Sequence, residues 1–425
     1  MVPVAHEVVL GIDIGTSGVR IVALDAALAT RAMASAPMAP PETSDGRIRQ
    51  DAEVWWHATR AAFAQLDLDG LDVRAVAVDG TSGTIVTVDD EGTPNGLASM
   101  YNDVASDAAV AAVAAVAPRE TAALGRTSPL ARALDLRRGD ARLLHQADWI
   151  AGRLSGRFDV TDENNALKTG FDPVAREWPA WIERTGLRRD DLPRVIPAGT
   201  AIGSIHPDTA ANLGLPADTV VVAGTTDGCA AFLASGASTP GDGVSSLGTT
   251  LTLKLLSATP VFAPAFGIYS HRIGDTWLAG GASNSGGGVL ASFFSREEIA
   301  RLSAQLQPDA PTGLDYYPLT MAGERFPIND PMLAPRLSPR PADDGRFLQG
   351  MLEGIAAIEA EGYRRLASLG ASPLATVRSV GGGSGNTAWT RIRQHALDVP
   401  FLPAMSDHAA VGTARLAWRG LGHAC

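Results

Sequence analysis

Cysteine is almost absent from this chain: of 425 residues only Cys229 and Cys425 carry a thiol. Two cysteines cannot build a disulfide framework or a zinc site of ordinary spacing, which fits a reducing compartment. Basic charge is also scarce. There are 35 Lys and Arg against 46 Asp and Glu, a formal charge of −11. Nucleic acid and anionic membranes both call for a basic surface, so neither is expected as a partner. A local phosphate site is still compatible with that balance, because a few donors can outweigh the average field. No apolar run approaches the roughly 18 residues of a membrane span. The first residues mix acidic and polar side chains into their apolar stretch and have no basic region or cleavage site of a secretory signal. No Gly-x4-Gly-Lys-Ser/Thr phosphate loop occurs, and the eight histidines show no metal-ligand spacing. What remains is the expectation of a soluble, cytoplasmic, enzyme-sized protein.

What is present favours two α/β domains. Apolar residues make up 45% and charged residues 19% of a length that suits two cores. Residues 8–14 and 19–24 read as the strands of a hairpin around a Gly-rich turn. Residues 75–79 read as a strand entering a second small-residue turn, Gly80 to Gly83, with 85–88 as its partner strand. A helix is expected over 52–66, with Trp55 and Trp56 as packing residues, and another over 105–117. A strand at 219–223 leads to a helix of small residues after Asp227. The breaker-rich stretch 235–243 marks a domain boundary. Beyond it, 244–247 and 251–256 flank Gly248-Thr249-Thr250 as a further hairpin. Residues 303–341 read as loop, 344–368 as an amphipathic helix, and 377–380 as a strand running into Gly381-Gly382-Gly383 and a helix through Arg393. A hairpin in each half points to internal duplication of one unit. Two such domains facing across a cleft would aim both turns at one phosphate chain.

Three motifs carry the chemistry. In the turn from Asp13 to Gly18, Gly15 and Gly18 permit a tight bend, and turn N–H groups with the Thr16 and Ser17 hydroxyls form an anion cradle. Asp13, just before that turn, suits Mg²⁺ held beside phosphates. A plain hairpin explains this turn taken alone. Asp227 stands between an apolar strand and a helix, where it reads either as an N-cap or as a catalytic base. Gly224 and Gly228 would leave room for substrate beside it, and capping does not explain that whole cluster. The run Gly381-Gly382-Gly383-Ser-Gly-Asn386 opens a helix N-terminus to a phosphate or flat ring. Trp389 would either line an adenine pocket or fill the core.

At these residues the whole chain resembles the FGGY family of carbohydrate kinases, within the actin-like ATPase superfamily. The stretches Gly11 to Ser17, Arg49-Gln-Asp-Ala-Glu-Val-Trp-Trp56, Ala223 to Gly228, Ser246 to Thr250 and Gly381 to Gly383 look like that family's motifs in their order. The resemblance implies an α/β fold of two ribonuclease-H-like domains with a cleft between them. Residues 1–234 plus 408–425 would bind the sugar and residues 235–407 the nucleotide. It implies ATP and Mg²⁺, with Asp227 as general base and Asp13 on the metal. Asp13, Ser82 and Asp227 would surround the acceptor; Thr16, Ser17, Gly248 and Thr249 would contact phosphates; Gly382, Gly383 and Asn386 would hold the adenosine. Where glycerol kinases carry Arg-Glu and xylulokinases Gln-Met-His, this chain has Gly80-Thr-Ser-Gly-Thr84. The downstream Trp-x-Asp-x-Arg element is replaced by Met100-Tyr-Asn-Asp-Val104. With Asn164 to Lys168, Tyr269 to His271 and Gly280 to Asn284, these features are similar to a short branch of the family acting on D-ribulose. Xylulose, ribitol or glycerol are the alternative acceptors. An actin-like ATP-binding module acting on a protein is the alternative of another class. A monomer or homodimer is expected.

Overall fold

Apolar residues fill both faces of β1 (His6–Ile14): Val8, Leu10, Ile12 and Ile14 enter one core and Val9 another. Such a strand belongs in the middle of a sheet covered on both sides. The computed structural model describes residues 6–423, and Cys425 lies outside them. The chain divides into two units, one built from the residues up to Ala234 and again from His408, the other from Ser235–Asp407.

In the first unit β1 is followed by β2 (Gly18–Asp25), β3 (Thr30–Pro37), β4 (Glu42–Ser44), β5 (Arg47–Gln50), α1 (Ala52–Phe63), β6 (Leu71–Gly80), β7 (Ile85–Val88), β8 (Ala98–Ser99), α2 (Asp107–Ala114) and α3 (Pro129–Leu136). Then come β9 (Arg142–His145), α4 (Gln146–Ser155), β10 (Val160–Asp162), α5 (Glu163–Leu167), β11 (Arg194–Ile196), β12 (Ala201–Ser204), α6 (Pro207–Leu213), β13 (Val220–Thr226) and α7 (Asp227–Ala234). The main sheet has the order β12-β13-β6-β1-β2-β3, with β1, β6 and β13 mutually parallel. One face is covered by α1 and α4, where Trp55 and Trp149 are fully buried. Trp55 Nε1 donates to Gln50 Oε1 at 2.7 Å, so both Trp55 and the buried Trp56 are packing residues.

The expected pairing of 75–79 with 85–88 does not occur. Both edges of β6 are taken, by β1 and by β13, so no edge is open to a hairpin partner. Instead β7 leaves the turn for a second sheet, β4-β5-β8-β7-β9. The two helices predicted here also come out shorter. α1 stops at Phe63, and α2 begins after a Ser106 cap whose side chain accepts from Ala109 N.

The second unit contains β14 (Asp242–Leu247), β15 (Leu251–Ser257), β16 (Phe262–Ala263), β17 (Ile268–Tyr269), β18 (His271–Ile273), β19 (Thr276–Ala282), α8 (Gly287–Ala291), α9 (Arg296–Ser303), α10 (Asp344–Ser368), β20 (Thr376–Val380) and α11 (Thr387–Leu397). Its sheet runs β18-β19-β15-β14-β20. The arrangement of the first unit returns: a hairpin, β14 with β15, whose first strand pairs in parallel with a later strand, β20. The buried face of α10, with Phe347, Met351, Ile355 and Ile358, packs into this core. A fully buried ion pair, Arg393 to Glu359 at 2.6 Å, joins α11 to α10, and Ser245 Oγ of β14 donates to the same carboxylate.

The chain then returns to the first unit as α12 (Ala409–Gly420), which covers the second face of the main sheet beside α7. Contact there is backbone to backbone. A Cβ on Gly11 would lie 1.9 Å from Ala410 O, and one on Gly412 would lie 1.9 Å from Ala230 O. No described helix is long and apolar enough to cross a membrane.

Candidate active site

Three adjacent parallel strands of the first unit leave the sheet through an acid: Asp13 in β1, Asp79 in β6, and Asp227 directly after β13. Asp13 and Asp79 are cross-strand partners, and Asp79 is level with Thr225. Carboxyl ends of parallel strands are where α/β sheets bind ligands. Asp79 is wholly buried, hydrogen-bonded to Asp13, and its Oδ2 accepts from Thr413 Oγ1 of α12. Burial pushes Asp79 well above the ordinary carboxylate range, and the charges of Asp13 and Asp227 push it further. The proton of the pair therefore resides on Asp79. Burial also raises Asp13, against the opposing effects of the Asp79 hydrogen bond, Arg20 and His408.

Asp227 opens α7, and its Oδ1 accepts from Gly228 N at 2.7 Å. A Cβ on Gly228 would meet nothing within 4 Å, so the space beside Asp227 is open there. Gly224 differs from the expectation. A Cβ on it would lie 1.8 Å from Val78 O, at the register shift between Val222 and Thr225. That glycine lets β13 approach β6 and makes no room for a substrate.

Two turns flank the acids. In the first, Gly15 N donates to Gly18 O at 3.0 Å, and a Cβ on Gly18 would crowd Ala36 O at 2.6 Å. Thr16 is half-buried and Ser17 exposed. In the turn after β6, Thr81 Oγ1 lies 2.6 Å from Thr84 Oγ1 and donates to Gln146 Oε1 at 2.8 Å. Thr84 Oγ1 also accepts from Tyr101 N at 3.0 Å. Both threonine hydroxyls are thus used inside the protein. The half-buried Ser82 hydroxyl has no hydrogen-bond partner among the described residues. Beneath this turn lies Arg132, fully buried, which sequence reasoning missed. It donates to Gly83 O at 2.5 Å, Ser99 O at 3.0 Å and Met100 O at 2.8 Å, and burial pulls it down to about 10.

In the second unit the turn Gly248 to Thr250 closes the β14–β15 hairpin, with Thr249 exposed. Gly287 N donates to Gly248 O and Gly288 N to Thr249 O, both at 2.9 Å. This Gly286 to Gly288 run is a further missed element; three consecutive glycines after a strand were its signal. Gly381 has φ +84°, Gly383 N donates to Leu247 O at 2.9 Å, and a Cβ on Gly382 would meet nothing within 4 Å. Asn386 caps α11: its Oδ1 accepts from Trp389 N at 3.0 Å and its Nδ2 donates to Ser303 Oγ at 2.9 Å. Trp389 is buried in the core, 2.5 Å from where a Gly383 Cβ would stand. Among the described residues no group of three or more His, Cys, Asp or Glu is arranged to hold a metal.

Residues 136–234 match the model of the N-terminal domain of the FGGY family of carbohydrate kinases, and residues 243–421 match that of its C-terminal domain. A xylulose kinase of Staphylococcus epidermidis is 24% identical over 98% of this chain and 88% of its own length. An L-fuculokinase of Salmonella typhi is 29% identical over 68% of this chain and 63% of its own. The crystal structure of a xyloylose kinase from Brucella ovis superposes with a TM-score of 0.84 at 24% identity, covering 98% of this chain and 91% of that one.

Proposed function

The chain belongs to the FGGY family of carbohydrate kinases and phosphorylates a sugar at the expense of ATP; we propose that its acceptor is a five-carbon ketose, D-ribulose, with Asp227 as the general base. The observation that carries this reading is the trio of acids at the ends of three parallel strands, with open space at Gly228 beside the outermost. Asp227 takes the proton of an acceptor hydroxyl as that oxygen bonds to the γ-phosphorus of ATP and the bond to the β-phosphate oxygen breaks, releasing ADP. Asp79 keeps its own proton and fixes Asp13 by hydrogen bonding.

The residues present suit phosphate and a divalent cation. Oxygen donors are what Mg²⁺ takes, and the half-buried Thr16 and exposed Ser17 hydroxyls of the Gly15–Gly18 turn suit phosphate oxygens. Asp13 would hold the cation as a single carboxylate, since no three-ligand cluster exists among the described residues. When bound with ATP, Mg²⁺ neutralises charge on the phosphates. Thr16 and Ser17 in the first unit, and Gly248 and Thr249 in the second, would contact phosphate oxygens. Gly382 and Gly383 would admit the adenosine. Asn386 would act on it through the α11 terminus it caps.

Ser82, as the hydroxyl of its turn left free for a ligand, supports a polyhydroxylated acceptor. The turn has none of the long polar side chains of the glycerol and xylulose kinase patterns. D-xylulose is the second reading, favoured by the names of several relatives. ADP release with Mg²⁺ and ATP across ketoses, aldoses and polyols tests both. A selective response to D-ribulose supports the first reading. A response to D-xylulose alone replaces it with the second, and no sugar-dependent turnover overturns both.

A further inference from the structure

A cavity of about 380 Å³ opens in the first unit between the second sheet and the end of α3, away from the three acids. Arg49, Arg138, Asp135, Asn95, Leu97 and Leu136 are among the residues that line it, with Thr87 beside them. We propose that it binds a small phosphate monoester, its phosphate held by Arg49 and Arg138 and its carbon skeleton by Leu97 and Leu136.

The charge balance supports an anion. The whole chain carries −11, yet here Arg47, Arg49, Arg132 and Arg138 stand against Asp103 and Asp135. Both acids are already engaged. Asp135 accepts from Ser106 N at 2.7 Å, Ser106 Oγ at 2.6 Å and Arg47 at 3.1 Å. Asp103, fully buried, accepts from Ser99 Oγ at 2.6 Å and Ile48 N at 3.0 Å, and pairs with Arg49 Nε at 2.9 Å. Arg132 spends its donors on four carbonyls and a hydroxyl that carry no charge.

Arg49 is thereby held by Nε alone, and its two terminal nitrogens have no acceptor among the described residues. An exposed arginine in that condition is simply hydrated. The Arg49 side chain is 18% exposed and lines the cavity, so its terminal donors open on that space. Burial pulls its guanidinium below the ordinary range, which an anion would reverse. Arg138, exposed at the mouth, adds a second planar fork, the geometry that matches phosphate in a bidentate way. Asn95 and Thr87 supply neutral polar atoms for hydroxyls. The volume lies in the range of small-metabolite sites.

The test is calorimetric titration of the full-length protein with sn-glycerol 3-phosphate and with inorganic phosphate. Ionic strength is fixed with sodium chloride, and the nucleotide site is filled with Mg²⁺ and a non-hydrolysable ATP analogue. Glycerol 3-phosphate should bind more tightly than inorganic phosphate, because only it reaches the two leucines. Arg138→Ser should weaken it about tenfold or more, with kcat and both KM values unchanged. Arg49→Gln, checked for an intact melting transition, should weaken it likewise. Equal affinity in the wild type and Arg138→Ser, the reverse order of the two anions, or no binding of either would overturn the proposal.

Discussion

Asp227 faces two neighbouring acids, and the protonation of Asp79 is what keeps that arrangement tolerable. Three ionised carboxylates at the ends of adjacent strands would repel strongly; a proton on the buried Asp79 relieves that repulsion. Asp227→Asn keeps the size and the Gly228 contact but removes the base. Turnover should fall by roughly 10²–10⁴-fold with ATP affinity retained, measured by coupled assay and nucleotide titration. Turnover near that of the wild type would remove Asp227 from the chemistry. A second buried acid gives a pH test. Asp162 caps α5 with its side chain accepting from Asn164 N and Asn165 N. Burial, with the Asp148 charge, raises it to about 8 from an ordinary 3.8. The folded chain therefore holds an extra proton between those values, and stability falls as pH rises through that window. Asp162→Asn keeps the cap and abolishes the titration, so the wild-type melting temperature minus that of the variant should decline from about pH 5 to pH 8. At this scale Asp13 and Asp227 stood out in the sequence because glycines and hydroxyls flank them. Asp79 bears the same mark, an apolar strand ending in Asp-Gly, but its importance comes from burial against Asp13, which spacing alone does not reveal.

Elements were most legible where the local chain suffices. The hairpins on either side of Gly15–Gly18 and Gly248–Thr250 need only adjacent apolar strands and small turn residues, and both form as read. The pairing of 75–79 with 85–88 was misread because the competing partners of β6, β1 and β13, come from distant sequence. The turn between those segments is held from below by Arg132, which joins Gly83 to Ser99 and Met100. Arg132→Met would leave four carbonyls without their donor and loosen the Ser82 turn. The acceptor KM should rise about tenfold while the KM for ATP holds, read from initial rates. A parallel rise in both would make Arg132 a general stabiliser and no part of acceptor positioning.

For the whole molecule, the first unit is assembled from both ends of the sequence, whereas the second is contiguous. Removing residues 408–425 would uncover Val9, Val22, Leu24, Ala75 and Ala77, the apolar face that α12 covers. That truncated chain should lose the cooperative unfolding of its first unit, while a fragment spanning 235–407 should keep a sigmoidal transition of its own, both followed by circular dichroism. The two α/β cores could be read from composition and repeated hairpins. The close seating of α12 on β1 became visible only where backbone atoms leave no space for a Cβ at Gly11 and Gly412. That seating also sets a timetable for synthesis. The ribosome must make residues 235–408 after α7 has emerged and before α12 can, a wait of roughly 10–40 seconds at ordinary elongation rates. For that interval one face of the nascent sheet stays bare and open to chaperones, so the half of the protein made first is the half completed last.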